Sequence, residues 1–242
     1  MSNTFFYLIE LRRRLIQYLL VLGVVFAVFA YFANDIYHLF AMPLLKHLPE
    51  GPGLIAIAVP APFLVPFKSA LVASVFITMP YLMYQLWRFV VPGLYQRERR
   101  LVWILLLVSS FLFYAGAMFA YFIVLPVVLK FFMSVAPAGV EVKPDIAQYF
   151  GFLMRMMLAF GFSFELPVLI VLLNSTGIYP VEKLSRKRPY VILAVFIIGM
   201  LLTPPDVVSQ VLLAVPLWML FEMGVLLAKH LVRKRTVGYD TH

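Results

Sequence analysis

Long apolar runs alternate along the chain with short polar or basic stretches, and the runs are too long to form the core of a soluble domain. Crossing a bilayer takes about 20 mostly apolar residues, and six stretches meet or approach that length. They are roughly 15–33, 69–87, 101–129, 150–174, 189–203 and 207–228. Each is expected to be a helix, because backbone in hydrocarbon has no water to bond and a helix satisfies its own N–H and C=O groups. The third is long enough to tilt or to project beyond the bilayer. The fifth is short. About 15 residues at about 1.5 Å each cover about 22 Å of an apolar layer about 30 Å thick, which implies local thinning or shielding by protein.

Between the first two runs, residues 34–68 hold Pro43, Pro49, Pro52, Pro60, Pro62 and Pro66 with apolar residues among them. A soluble linker would be polar, so this segment is expected to pack as a cap on the outer surface. Within it, "DIYHLFAMPLLKHL" (35–48) predicts a short interfacial helix interrupted at Pro43. No repeat with a period of about 20–50 residues is visible, and the two halves have unmatched loop lengths, which argues against an inverted-repeat transporter.

Composition agrees with this pattern. Of the 242 residues, 64% are hydrophobic and 13% charged, with a mean hydropathy of +0.97, which marks an integral membrane protein. With no cysteine, disulfides, thiolate metal sites and cysteine nucleophiles are excluded. The net charge of +9 looks like a nucleic-acid signature until it is mapped onto the loops. Arg12, Arg13 and Arg14 precede the first run, and Arg88, Arg97, Arg99 and Arg100 lie between the second and third. Lys183, Arg186, Lys187 and Arg188 lie between the fourth and fifth, and Lys229, Arg233, Lys234 and Arg235 follow the sixth. The intervening loops hold only Lys46, Lys68, Lys130 and Lys143. By the positive-inside rule both termini are expected to face the cytoplasm. The N-terminal run, Leu15–Ala33, exceeds the usual signal-peptide apolar region and no small-residue cleavage site follows, so it is expected to be a retained helix.

Charges inside a membrane are expensive and usually face a partner, a cavity or a pathway. Glu165 lies near the middle of the fourth run, where a carboxylate must be protonated, paired or wet. Pro167 just after it is expected to free a backbone carbonyl and kink the helix. Arg155, about 15 Å earlier along the axis, is too far to pair with it within the helix and is positioned to snorkel. Glu222, in the sixth run, is either a structural inter-helix partner or a functional group. Two more acids, Glu10 and Glu98, stand at the cytoplasmic side, each at the mouth of an apolar run. Each has a local explanation: Glu10 is three and four residues before Arg13 and Arg14, and Glu98 sits among arginines. Together they also suit a ligand with adjacent guanidinium groups beside an apolar segment, because a carboxylate accepts arginine bidentately. His38, His47, His230 and His242 lack metal-ligand spacing, and no P-loop, GxSxG or HExxH occurs, so no enzyme, cofactor or metal site is expected.

Five blocks carry a resemblance over nearly the whole chain: "LIELRRRLI" (8–16), "MPYLMYQLWRFVVPGLYQRERR" (79–100), "FAYFIVLP" (119–126), "AFGFSFELPV" (159–168) and "GMLLTPPDVVSQVLLAVPLWMLFE" (199–222). In this order they resemble TatC, the multispanning receptor subunit of the twin-arginine protein translocase. The resemblance implies an all-α integral membrane protein of six transmembrane helices in a curved, glove-like arrangement with short helices five and six. It implies substrates that are folded precursors with an Arg-Arg signal peptide, recognised at Glu10 and Glu98, with Arg12 and Phe89 shaping the site. It further implies functional roles for Glu165, Pro43 and Asp206, and docking of the single-span partners TatA and TatB around Met200, Thr203 and Gln210. Other TatC copies are implied partners, the setting is a bacterial plasma membrane, and the proton-motive force drives transport without a cofactor. Two other classes compete. A small-solute transporter or ion channel also uses buried carboxylates but predicts internal symmetry and uptake by the isolated protein. A scaffold without substrate predicts that Glu10 and Glu98 are dispensable.

Overall fold

The computed structural model describes residues 2–45, 55–94, 99–135, 144–175, 179–202 and 207–237. Its elements are α1 (Ser2–Tyr31), α2 (Ala33–Leu45), α3 (Ala61–Leu94), α4 (Arg99–Phe119), a π-helical turn (Ala120–Val124), α5 (Leu125–Ser134), α6 (Ile146–Ser163), α7 (Leu166–Ser175), α8 (Val181–Ser185), α9 (Arg188–Leu202) and α10 (Val207–Val237). Among the described residues the sole β feature is a single bridge between Ile55 and Asp145. Among the described residues five stretches are long and apolar enough to cross a membrane: Ile9–Tyr31, Ala61–Phe89, Trp103–Ser134, Ile146–Asn174 and Gln210–His230. Arg188–Leu202 is apolar but shorter, as expected of the fifth run. The protein is an all-helical, multi-pass membrane protein.

Several helices outrun the apolar stretches that predict them. α1 starts at Ser2, so Glu10 and the three arginines belong to the same helix as the apolar run. α2 continues past Pro43 to Leu45 without the expected interruption. α3 starts at Ala61, so Pro62 and Pro66, expected in the cap loop, are helical; Pro62 falls in the first turn, where a missing N–H has no helical partner to lose. α8, a single short helix before α9, is an addition to the six expected.

Two apolar runs are irregular, each just before a proline. In the third, the Leu125 N–H reaches back five residues to the Ala120 carbonyl, one residue before Pro126, which has no N–H to give. In the fourth, the helix breaks at Phe164 and Glu165; the Glu165 N–H bonds the Phe162 carbonyl at 3.1 Å and α7 restarts with Pro167 as its second residue. The kink expected at Pro167 is therefore a full break.

The chain divides into two compact units. The first comprises residues 1–111 and 141–154, the second residues 112–140 and 155–242. In the first, α1 and α2 pack on α3. The Trp87 indole donates to Ser109 Oγ at 3.0 Å, and Tyr37 stacks on Phe150 with centroids 4.8 Å apart. Asp145 ties the ends together: its carboxylate accepts the Ile57 N–H and caps α6 through the Gln148 N–H, both at 3.1 Å. In the second unit, Ile170, Val181, Phe221, Val225 and Ala228 form a cluster joining α7, α8 and α10. Asn174 links the same elements, accepting the Val181 N–H at 2.9 Å and donating to the Ala228 carbonyl at 3.4 Å.

Candidate functional site

On α1, Glu10, Arg14, Gln17 and Tyr18 follow one another at helical spacing and present one face to α3. α3 answers with Thr78, Tyr81 and Gln85 at the same kind of spacing. The result is a polar seam through two otherwise apolar helices. Tyr18 and Thr78 hydroxyls meet at 3.3 Å in the buried part. One residue nearer the N-terminus of α1, Gln17 Oε1 accepts from the Gln85 amide at 3.5 Å, and the same amide donates to the Tyr81 hydroxyl at 2.7 Å. At the seam's end, Arg14 Nη1 donates to the Gln85 carbonyl at 3.2 Å and to Gln85 Oε1 at 3.3 Å. Arg14 Nε and Nη2 both donate to Glu10 Oε1, the first at 3.1 Å. A buried polar group left unpaired would be costly, and the seam pairs these groups with one another.

Glu10 thus has the local partner that spacing alone suggested, Arg14. Its side chain is 34% exposed while that of Arg14 is 15% exposed, so the carboxylate is the accessible half of the pair. Oε1 takes both contacts; Oε2 has no partner among the described residues. Arg12 is exposed and, at about 100° per residue, lies roughly 160° round α1 from Glu10, so the helix sends the two to different faces. Phe89 is half-buried one turn beyond Gln85 on α3. Glu98 lies outside the described residues, as do Thr203 and Asp206; Pro43 belongs to the last turn of α2.

The other expected positions lie in the second unit. Glu165 occupies the break between α6 and α7 and is 5% exposed. Close by, Phe119 packs on Phe160 and Phe164, each with centroids 5.7 Å apart. Glu222 resolves to the structural alternative: Arg188 Nε and Nη2 donate to its two oxygens at 2.6 and 2.7 Å, joining the start of α9 to α10. Arg155 is exposed on α6. In the α9–α10 hairpin, Met200 is exposed, whereas the Gln210 amide donates inward to the Phe196 carbonyl at 2.7 Å. Gly199 permits that closeness, since a Cβ there would lie 3.2 Å from Gln210. Ile192, Val195, Phe196, Ala214, Val215 and Trp218 line an apolar groove of about 260 Å³ on the same hairpin.

Gln17, Tyr81 and Gln85 are the members of the seam that the distribution of charge does not reveal, and Arg14 reads there as one basic residue among three. Their signal in the sequence is polar side chains recurring every three or four residues inside apolar runs.

Residues 6–216 match the family described as Sec-independent protein translocase protein (TatC). TatC of Escherichia coli K12 is 50% identical over 228 residues, covering 94% of this chain and 88% of that protein. TatC of Haemophilus influenzae is 49% identical over 223 residues, covering 92% of this chain and 87% of that protein. A crystal structure described as the twin arginine translocase receptor TatC superposes with a TM-score of 0.85 at 37% identity, covering 92% of this chain and 98% of that one. The chain belongs to the TatC family of Sec-independent protein translocase proteins.

Proposed function

We propose that this chain is the receptor subunit of a twin-arginine translocation system, binding the Arg-Arg pair of signal peptides on folded precursors. Family membership supports the general role in protein transport. The observation that carries the finer reading is Glu10, a partly exposed carboxylate at the N-terminal end of the apolar span of α1, already ligated by a guanidinium at one oxygen. Glu98 is its counterpart on the following cytoplasmic segment. The signal's apolar stretch then lies beside the apolar helices that follow each acid. In this reading six helices span the bacterial plasma membrane with both termini in the cytoplasm, an orientation that the distribution of lysine and arginine supports. TatB-type and TatA-type single-span subunits assemble at the α9–α10 hairpin, where Met200 is exposed, together with further receptor copies. The proton-motive force drives transport. Glu165, Pro43 and Asp206 serve the later steps.

Crosslinking of a signal peptide bearing Arg-Arg against one bearing Lys-Lys tests the receptor role. Lysine keeps the charge and loses the planar fork that matches a carboxylate. Arg-Arg is expected to crosslink strongly and Lys-Lys weakly, and Glu10→Ala is expected to abolish the difference at normal expression. Equal capture of the two peptides would sink the reading.

A further inference from the structure

Arg14 differs from its neighbours Arg12 and Arg13. Those two are exposed, whereas the Arg14 side chain is mostly covered and makes four contacts. Two go to Glu10 Oε1 and two to Gln85, one to its carbonyl and one to its side-chain oxygen. Gln85 is itself held by Tyr81 and Gln17, so the guanidinium has a fixed berth on α3 independent of Glu10. A membrane-flanking charge needs none of this.

We infer that Arg14 is a built-in occupant of the signal-peptide seat: its guanidinium competes with the incoming arginine for Glu10, and binding is an exchange of one guanidinium for another. The inference rests on the receptor role proposed above. On exchange, Arg14 keeps Nη1 on the two oxygens of Gln85, while Nε and Nη2 give up Oε1, and the loss of those two contacts is part of what the incoming arginine must offset. The incoming arginine meets the residual positive charge of Arg14, which weakens the bound state further. Both effects lower apparent affinity without touching the contacts that distinguish arginine from lysine. A receptor that must hand its cargo onward benefits from such an offset, because the carboxylate never stays empty after release.

The experiment is binding of a fluorescent Arg-Arg signal peptide to the full chain in nanodiscs, by anisotropy at fixed ionic strength, with a Lys-Lys peptide in parallel. Arg14→Gln is expected to bind the Arg-Arg peptide about two- to fivefold more tightly, the factor that a partly exposed ion pair is worth. The ratio between the two peptides stays unchanged, and the gain disappears in a Glu10→Gln background. Gln85→Met removes a berth, drives Arg14 onto Glu10, and is expected to shift affinity in the opposite direction. That opposite sign separates exchange from a general loosening of the α1–α3 contact, which would weaken binding in both variants. Unchanged or weaker binding by an Arg14→Gln protein that melts like the parent overturns the inference while leaving the receptor role standing. Failure of the parent protein to prefer Arg-Arg, with no dependence on Glu10, overturns both.

Discussion

Arg188 and Glu222 meet along two parallel lines, Nε to Oε1 and Nη2 to Oε2, and a fork of that kind fixes orientation as well as distance. The carboxylate is the more covered partner, so stripping away its guanidinium leaves a charge poorly solvated on an apolar helix. Arg188→Met and Glu222→Gln are each expected to lower the thermal midpoint in detergent, with the double variant no less stable than the worse single one. An additive loss in that cycle would show the two residues to be uncoupled. Glu10, Glu165 and Glu222 were all legible in the sequence, since a carboxylate in or beside an apolar run stands out by its cost. What each does was not. Glu222 turned on which residue sits across from it, and Arg188, 34 positions away, reads in sequence as one more topogenic cation. Gln17, Tyr81 and Gln85 were harder still, because neutral polar residues are cheap enough to pass unnoticed until two helices are set face to face.

Helix existence followed from hydropathy, because hydrocarbon forces apolar backbone into helices. Helix length did not, because hydropathy does not mark where a helix ends: α1 runs back through polar residues to Ser2, and α3 starts at Ala61, with Pro62 tolerated in its first turn. The break before Pro167 was legible from the proline, whereas the π-helical turn before Pro126 was not, since one extra residue in a turn leaves hydropathy unchanged. Close helix contact depends on glycines that the pattern does not single out. A Cβ on Gly116 would lie 2.6 Å from the Phe160 carbonyl oxygen and 2.8 Å from the Phe164 ring, so α4 and α6 could not keep their spacing there. Gly23 on α1 has nothing within 4 Å of the same construction. Gly116→Ala is therefore expected to cost about 1–3 kcal/mol as overpacking. Gly23→Ala is expected to gain up to about 1 kcal/mol by restricting the unfolded chain and favouring helix. Thermal unfolding in detergent separates the two, and equal effects at both positions would contradict the close approach of α4 to α6 at Gly116.

At the scale of the whole molecule, the register of the α9–α10 hairpin constrains the membrane around it. Gln210 meets Phe196 and Glu222 meets Arg188, so the two helices run antiparallel with the start of α9 level with Glu222. The apolar span of α10 continues from Gln210 to His230. Glu222 therefore lies about 12 Å inside the end of that span, at about 1.5 Å per residue, and α9 itself covers about 22 Å. A charged pair is stable at a water boundary and expensive in hydrocarbon. The lipid beside α9 thus meets water about where α10 still presents apolar side chains, a mismatch of several ångströms against an apolar layer about 30 Å thick. At fractions of a kcal/mol per ångström, thinning the bilayer there costs less than drowning the ion pair in lipid. Cryo-electron microscopy of the protein in nanodiscs is expected to show the bilayer thinner beside α9 than around the remaining helices. Lengthening α9 by one apolar turn just after Arg188 and α10 by one apolar turn just before Glu222 should reduce the difference, since the register is kept and the pair then lies about 5.4 Å nearer the unperturbed interface. Uniform thickness around the parent protein would sink the idea, and would require the pair to draw water inward along the hairpin instead.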